Sequence, residues 1–287
     1  MTGPRLRAAE SSRFGLRLAA GQVRYEVLLL LRSPLGTFTA LVIPVMVLVA
    51  LNVATPEMTL RELDGYRFAD FLTPAMATFA LLNACYVNVI TSVVIARENG
   101  VLKRLHGTPL PLWAYMAGRV FAAACVAVVS MLVVLGIGTL FLDVDLSVRR
   151  LALLAGVAAL GVVTFTTLGI AVSALVPRPD SALPVAYGTI LPIAFVSDVF
   201  FPATTAPEWL RHTAAALPVS PLARSAEAIF ISDARGWPMT QTQLIVILAW
   251  FAGAVLLSAA AFRWEPRAAR RPHAHPRKRP INLAAGP

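Results

Sequence analysis

The sequence predicts an all-α integral membrane protein: six transmembrane helices, an N-terminal interfacial helix, and a broken or re-entrant external segment after the fifth span. Three observations carry this. First, six stretches (33–56, 71–96, 120–142, 151–177, 181–197 and 236–262) contain no Asp, Glu, Lys or Arg. A helix needs roughly 20 apolar residues to cross the ~30 Å hydrocarbon core, and only the fifth stretch, with 17 residues, sits at the lower limit. Second, 57% of the residues are hydrophobic, only 14% are charged, and the mean hydropathy is +0.71. A soluble domain carries about 25% charged residues. Third, Pro184 and Pro192 interrupt the fifth run, which ends at Ser197 and Asp198. Phe200-Phe201-Pro202 follows, then a weaker apolar stretch from Trp209 to Leu222. Broken apolar segments at membrane depth survive only where protein or a water-filled cavity covers the freed backbone groups.

Taken in order, residues 1–12 are polar. From Arg13 to Leu31 the residues Leu16, Val23, Val27 and Leu30 make an apolar stripe beside Arg13, Arg17 and Arg24. Such a helix can lie in the headgroup plane, its arginines near lipid phosphates. The first span is expected over 36–53 and the second over 71–96. A charged hairpin occupies 97–119. The third and fourth spans are expected over 120–142 and 151–176, joined by the short turn 143–150. Pro177-Arg178-Pro179-Asp180 is a sharp turn, because proline punctuates so strongly. The sixth span is expected over 243–262. The chain is thus one membrane domain, 1–287: a tail with the interfacial helix (1–33), a six-span core (34–264) and a basic tail (265–287). No internal repeat is evident, and only one span is clearly interrupted, so the paired interruptions of an inverted-repeat transporter are missing.

The net charge of +10 is explained by its distribution. With a cytoplasmic N-terminus, 18 Lys and Arg fall on inside segments and 7 on outside ones. That asymmetry satisfies the positive-inside rule and places both termini in the cytoplasm, in a multi-pass protein of the cytoplasmic membrane. The basic tail (Arg267, Arg270, Arg271, Arg277, Lys278 and Arg279) lacks interleaved aromatics, so contact with anionic lipid is more economical than nucleic-acid binding. Cys85 and Cys125 both lie inside apolar runs and read as core residues rather than a disulfide framework.

The chemistry that is missing matters as much. The chain has no P-loop pattern, no HExxH and no Gly-x-Ser-x-Gly elbow, so it is expected to hydrolyse no nucleotide. No catalytic, cofactor-binding or metal-binding residue is assigned. His273 and His275 fall in the basic tail and read as solvated. The spans as drawn contain no acidic residue, whereas ion-coupled transporters place Asp or Glu there; the nearest is Asp198. If the protein moves a substrate uphill, the energy must come from a partner. Asn83, Asn88 and Thr91 are candidate polar residues of a pathway, as are Thr164, Thr166 and Thr167. All of them suit interhelical hydrogen bonds equally well.

The 97–119 hairpin is where a partner can act. Val101, Leu102 and Leu105 form a small apolar face, and Lys103, Arg104 and His106 suit the negative end of a helix dipole. Gly107 and Pro109 provide a stop. A short amphipathic helix over 97–107 is therefore expected, with a plain charged loop as the alternative.

These residues resemble the membrane subunit of type 2 ABC exporters, especially drug-efflux permeases of the daunorubicin-resistance type. In that family a Phe-Leu-x-Pro-Gly segment opens the second span, and Phe71-Leu72-Thr73-Pro74 matches it with Ala75 in place of glycine. The family's Arg-Glu-x-Gly-Thr-Leu-Glu and following Thr-Pro correspond to Arg97-Glu98-Asn99-Gly100-Val101-Leu102-Lys103 and Thr108-Pro109. Val101 and Lys103 depart from it, and Lys103 reverses a charge. A second match comprises Ser197, Phe200-Phe201-Pro202, Pro207-Glu208-Trp209-Leu210 and Pro221, with Asp198 where glycine is common. The resemblance covers about residues 20–264.

It implies a permease half of an ATP-driven exporter for a hydrophobic or amphipathic compound (drug, antibiotic or lipid-like). A second permease copy, most simply a homodimer, would complete the pathway. A separate ABC ATPase subunit would bind ATP and Mg and dock on the hairpin. Arg97, Glu98, Gly100, Leu102, Lys103, Arg104 and Leu105 would couple to that subunit. Ser197, Asp198, Phe200, Phe201 and Pro202 would form an external gate region. The alternative reading is a membrane-embedded enzyme or assembly factor without ATP-coupled transport.

Overall fold

The computed structural model describes residues 34–55, 59–60, 65–100, 112–197, 199–200, 207–231 and 236–261. Helix α1 (Pro34–Ala54) has 21 residues, which at 1.5 Å per residue is long enough to cross a bilayer. A two-residue antiparallel ribbon, β1 (Thr59–Leu60) with β2 (Tyr66–Arg67), follows it. Helix α2 runs Phe68–Glu98 with a π-turn at Asn83–Val87. Helices α3 (Leu112–Phe141) and α4 (Val148–Ser173) come next. A 3₁₀ turn at Pro179–Ser181 leads into α5 (Ala182–Val196), which contains Pro192. The bent pair α6 (Glu208–Ala216) and α7 (Val219–Ile231) precedes α8 (Gln241–Ala261). Besides α1, five helices are long and apolar enough to span a membrane.

The expected fold class is observed. Observed spans exceed the expected ones chiefly at α2 and at α3, which starts at Leu112. The interfacial helix over 13–31 and the tail 265–287 lie outside the described residues.

Helix α2 is the centre of the bundle. Its residues from Phe71 to Val87 are buried without a break. It packs on α1, α3 and α7 along one half and on α4 and α5 along the other, while α8 leans on α4. Such all-round burial explains why α2 is apolar on every face. The large apolar side chains left exposed, such as Met46, Phe195, Ile245 and Leu256, face outward as lipid-facing residues do.

Glycine sets the closest approach. A Cβ on Gly169 of α4 would lie 3.1 Å from the carbonyl oxygens of both Cys85 and Tyr86 in the π-turn. Small residues let membrane helices approach this closely. Gly169→Val is expected to destabilise the fold by about 1–3 kcal/mol through overpacking against backbone that has little room to move. Gly253→Val on α8, where nothing lies within 4 Å, is the control. Melting curves in detergent should show a lowered midpoint for the first and none for the second.

Arginines fasten the helix ends. Arg67 donates to both carboxylate oxygens of Asp70, at 3.2 and 3.1 Å, and to the Asp143 carbonyl at 2.7 Å. This ties the start of α2 to the end of α3. The bonds to Asp70 also push the Arg67 guanidinium pKa up, against a smaller effect of burial. At the same end, Arg150 bonds Asp145 at 2.8 Å and the Phe230 carbonyl at 3.3 Å, with its guanidinium 5.5 Å from the centre of the Phe230 ring. The end of α7 is thereby held beside the start of α4.

That contact fixes where the bent pair ends. The two arms meet at 97° and have 9 and 13 residues, too few for either to cross a ~30 Å core. Helix α7 ends beside the start of α4, and the pair is the broken or re-entrant segment expected from the prolines. Trp250 of α8 donates to the Ala216 carbonyl at 2.9 Å and holds the elbow against the bundle.

Candidate functional site

The most distinctive local structure is the π-turn in the middle of α2. There the Asn88 amide bonds the Asn83 carbonyl, five residues back, in place of the usual four. The extra residue rotates the following half of the helix relative to the first. Such turns are frequent at functional sites. Here the turn is accompanied by two polar links to α5. Asn83, fully buried, donates to its own Phe79 carbonyl at 2.9 Å and accepts from the Tyr187 hydroxyl at 3.0 Å. Tyr86 and Thr189 share a hydrogen bond of 2.9 Å. The Thr189 hydroxyl also reaches the Val185 carbonyl at 2.8 Å. These four side chains form a neutral polar seam between two apolar helices.

Toward the 142–147 end of the bundle an aromatic cluster covers the seam. The Phe200 ring meets Phe79 edge-on at 5.4 Å and stacks on Phe195 at 4.4 Å. Edge-to-face and offset stacking are the favoured arrangements of such rings. Phe200 and Val199 are buried, as is Ser197, whose Oγ has no hydrogen-bond partner among the described residues. Of the expected gate residues, Ser197 and Phe200 thus stand at one place. Asp198, Phe201 and Pro202 lie outside the described residues.

Toward the 174–181 end, Asn88 and Thr91 follow along α2. The Thr91 hydroxyl is shared with the Val87 and Asn88 carbonyls, each at 3.0 Å, so it serves its own helix. Thr164 and Thr166 on α4 are buried, and Thr167 bonds the Val163 carbonyl at 2.7 Å. Neither Asn88 nor Thr91 joins the hydrogen bonds between α2 and α5 described above.

Arg97 ends this line. It is 6% exposed, and its guanidinium donates to the Ser173 carbonyl at 3.2 Å and to that of Val176. Ser173 is the last residue of α4 and Val176 lies just past it; at such an end the helix carbonyls lack partners within the helix and the dipole favours a cation. Arg97 is therefore a buried cap of a neighbouring span, whereas Glu98 beside it is exposed.

The expected helix over 97–107 needs correction at its start. Arg97 and Glu98 are the last residues of α2, and Gly100 has φ +66° with its amide bonded to the Arg97 carbonyl at 3.1 Å. This left-handed turn, for which glycine is suited, breaks the helix before Val101. Leu102, Lys103, Arg104 and Leu105 lie outside the described residues.

Several residues escaped the sequence reading. Tyr86 and Tyr187 were legible as isolated hydroxyl-bearing aromatics in aliphatic runs, since a buried Tyr hydroxyl usually finds a partner. Glu227, 8% exposed in α7, is a buried acid that drawing the region as external hid.

A many-span helical bundle with a neutral polar seam closed by aromatics at one end has the makings of a transport subunit. The chain belongs to the ABC-2 type transporter family, which matches residues 22–231. It is accordingly a permease subunit of an ABC transporter, a transport component rather than a catalytic one, from a family that usually works with an ATPase subunit. The match includes α2, α5 and the bent pair. A comparison with curated proteins finds no match.

Proposed function

We propose that the chain is the membrane half of an ATP-driven exporter of the daunorubicin-resistance type, moving a hydrophobic or amphipathic compound out across the cytoplasmic membrane. The observation that carries this reading is the seam between α2 and α5. Its polar groups are all neutral hydroxyls and an amide, flanked by apolar helix surface. A pathway of that chemistry suits a cargo with apolar bulk and a few hydrogen-bonding groups. Among the described residues the seam itself holds no carboxylate, and the energy is assigned to a separate ATPase subunit that binds ATP and Mg. A second copy of the chain completes the pathway as a homodimer. Both termini are cytoplasmic, which puts the Arg97 end inside and the aromatic cluster outside.

The test is co-expression with a candidate P-loop ATPase subunit, followed by purification through this chain and ATPase assays with candidate amphipaths. Stable co-purification and cargo-stimulated hydrolysis are expected. A chain that retains no ATPase and alters no cargo efflux from cells would overturn the reading.

The aromatic cluster is proposed to seal the outer end, because an apolar constriction excludes water without a moving charge. Phe200→Ala with Phe201→Ala is expected to raise passive dye leak into vesicles, while Phe200→Leu, which restores apolar volume, recovers most of the seal. Wild-type leak in the double variant would remove the assignment.

A further inference from the structure

The elbow between α6 and α7 holds a cavity that the transport reading does not use. It measures about 210 Å³ and is lined by Glu208, Arg211, His212, Ala215 and Arg224. Four of these come from α6 and Arg224 comes from α7, so the 97° bend itself assembles the site. The lining brings two guanidiniums and an imidazole together with one carboxylate. Guanidinium pairs match phosphate in a planar, two-point fashion that a lysine cannot reproduce.

Size and position narrow the ligand further. Pockets for whole drug-sized molecules measure about 300–1,000 Å³, so this one admits a headgroup and leaves the rest of a long amphiphile outside. The surroundings suit an apolar remainder. Trp209, on the same arm, is 68% exposed. Tryptophans concentrate at the membrane–water interface, where headgroups lie.

We infer that the cavity at the α6–α7 elbow binds the phosphate group of an anionic amphiphile, with Arg211 and Arg224 holding the phosphate from the two arms of the bend. His212 adds a third donor. Glu208 opposes the anion and keeps the site from holding it too firmly. The site requires neither ATP nor a partner chain, so it stands apart from the transport reading.

The purified, delipidated full chain in neutral detergent is offered dioleoylphosphatidylglycerol and dioleoylglycerol, which carry the same chains with and without phosphate. Native mass spectrometry reads the bound fraction. The wild type should retain the phosphate-bearing lipid preferentially. Arg211→Ala with Arg224→Ala should weaken that retention about tenfold, or ~1.4 kcal/mol, while Arg178→Ala, at the opposite end of the bundle, should not. Equal retention by the wild type and the double variant overturns the proposal. Should the double variant not fold, Glu208→Gln decides: retention should rise about twofold on removal of one opposing charge, and an unchanged value overturns the proposal. Excess inorganic phosphate separates the sources. Displacement of the lipid identifies a site that also reads free phosphate, and persistence of an arginine-dependent lipid identifies one that needs the acyl-linked group; both uphold the shared chemistry.

Discussion

Arg97→Ala is expected to lower the melting temperature of the detergent-solubilised protein by about 5–15 °C and to abolish transport. The loss follows from what the guanidinium satisfies. It donates to the Ser173 and Val176 carbonyls at the end of α4, and its side chain is 6% exposed. A buried acceptor stripped of its donor costs about 1–3 kcal/mol, so two of them, partly rehydrated, cost about 2–4 kcal/mol. For a chain of this size each 1 kcal/mol moves the midpoint by about 2–4 °C. Methionine at this position fills the volume yet donates nothing, so Arg97→Met should fail as alanine does. Arg97→Lys supplies one point donor in place of a fork and should recover part of the stability. The lysine variant also separates two roles. If Arg97 only fastens α4, transport per folded molecule stays at the wild-type level. If its two-point grip carries movement from α2 to α4, transport falls below the level that stability alone explains. An unchanged midpoint in Arg97→Ala would show that the contact contributes nothing to the fold.

Arg97 also marks where sequence reasoning stops. The spans were legible because lipid imposes a length and a near-absence of charge, and both are one-dimensional properties. The break after Val196 was legible for the same reason, through Pro184, Pro192 and the weak apolarity of 209–222. Gly100 was visible as a helix-breaking residue, but whether it would lie within a hairpin helix or end α2 depends on φ. Arg97 was readable as a charge at a membrane boundary and so as an exposed contact. Its burial depends on α4 ending 76 residues later beside it, a tertiary fact with no periodic signature. The same holds for the seam. Asn83 was a candidate from its polarity, but its partner Tyr187 lies 104 residues away, and the π-turn that presents Asn83 and Tyr86 arises from local backbone geometry rather than composition. Phe200 was reached through resemblance, and its contacts with Phe195 and Phe79 give that motif a place in the packing.

Leu102→Asp is expected to weaken association with the ATPase subunit roughly 30-fold at matched membrane abundance, and to lower transport with it. The reasoning starts from the sequence between α2 and α3. In the sequence, Val101, Leu102 and Leu105 stand beside Lys103 and Arg104, between α2, which ends at Glu98, and α3, which starts at Leu112. Arg97 bonds the chain at the end of α4 beside the entry to this segment, so a push delivered there would reach α2 and α4 together. An apolar residue seated in a partner's groove contributes at least ~2 kcal/mol when it is a hot spot. Replacing it by a carboxylate adds the cost of burying an unpaired charge. Since ~1.4 kcal/mol is a factor of ten, ~2 kcal/mol corresponds to the expected 30-fold loss. Glu98→Ala provides the contrast. Glu98 is exposed at the last turn of α2, so its removal should leave the melting temperature unchanged and lower transport only if the carboxylate meets the partner. The pair of variants is read by ATPase co-purification and by transport in vesicles. Wild-type values in both assays for Leu102→Asp would exclude docking through this face and would leave Arg97 as a fastener of helix ends alone.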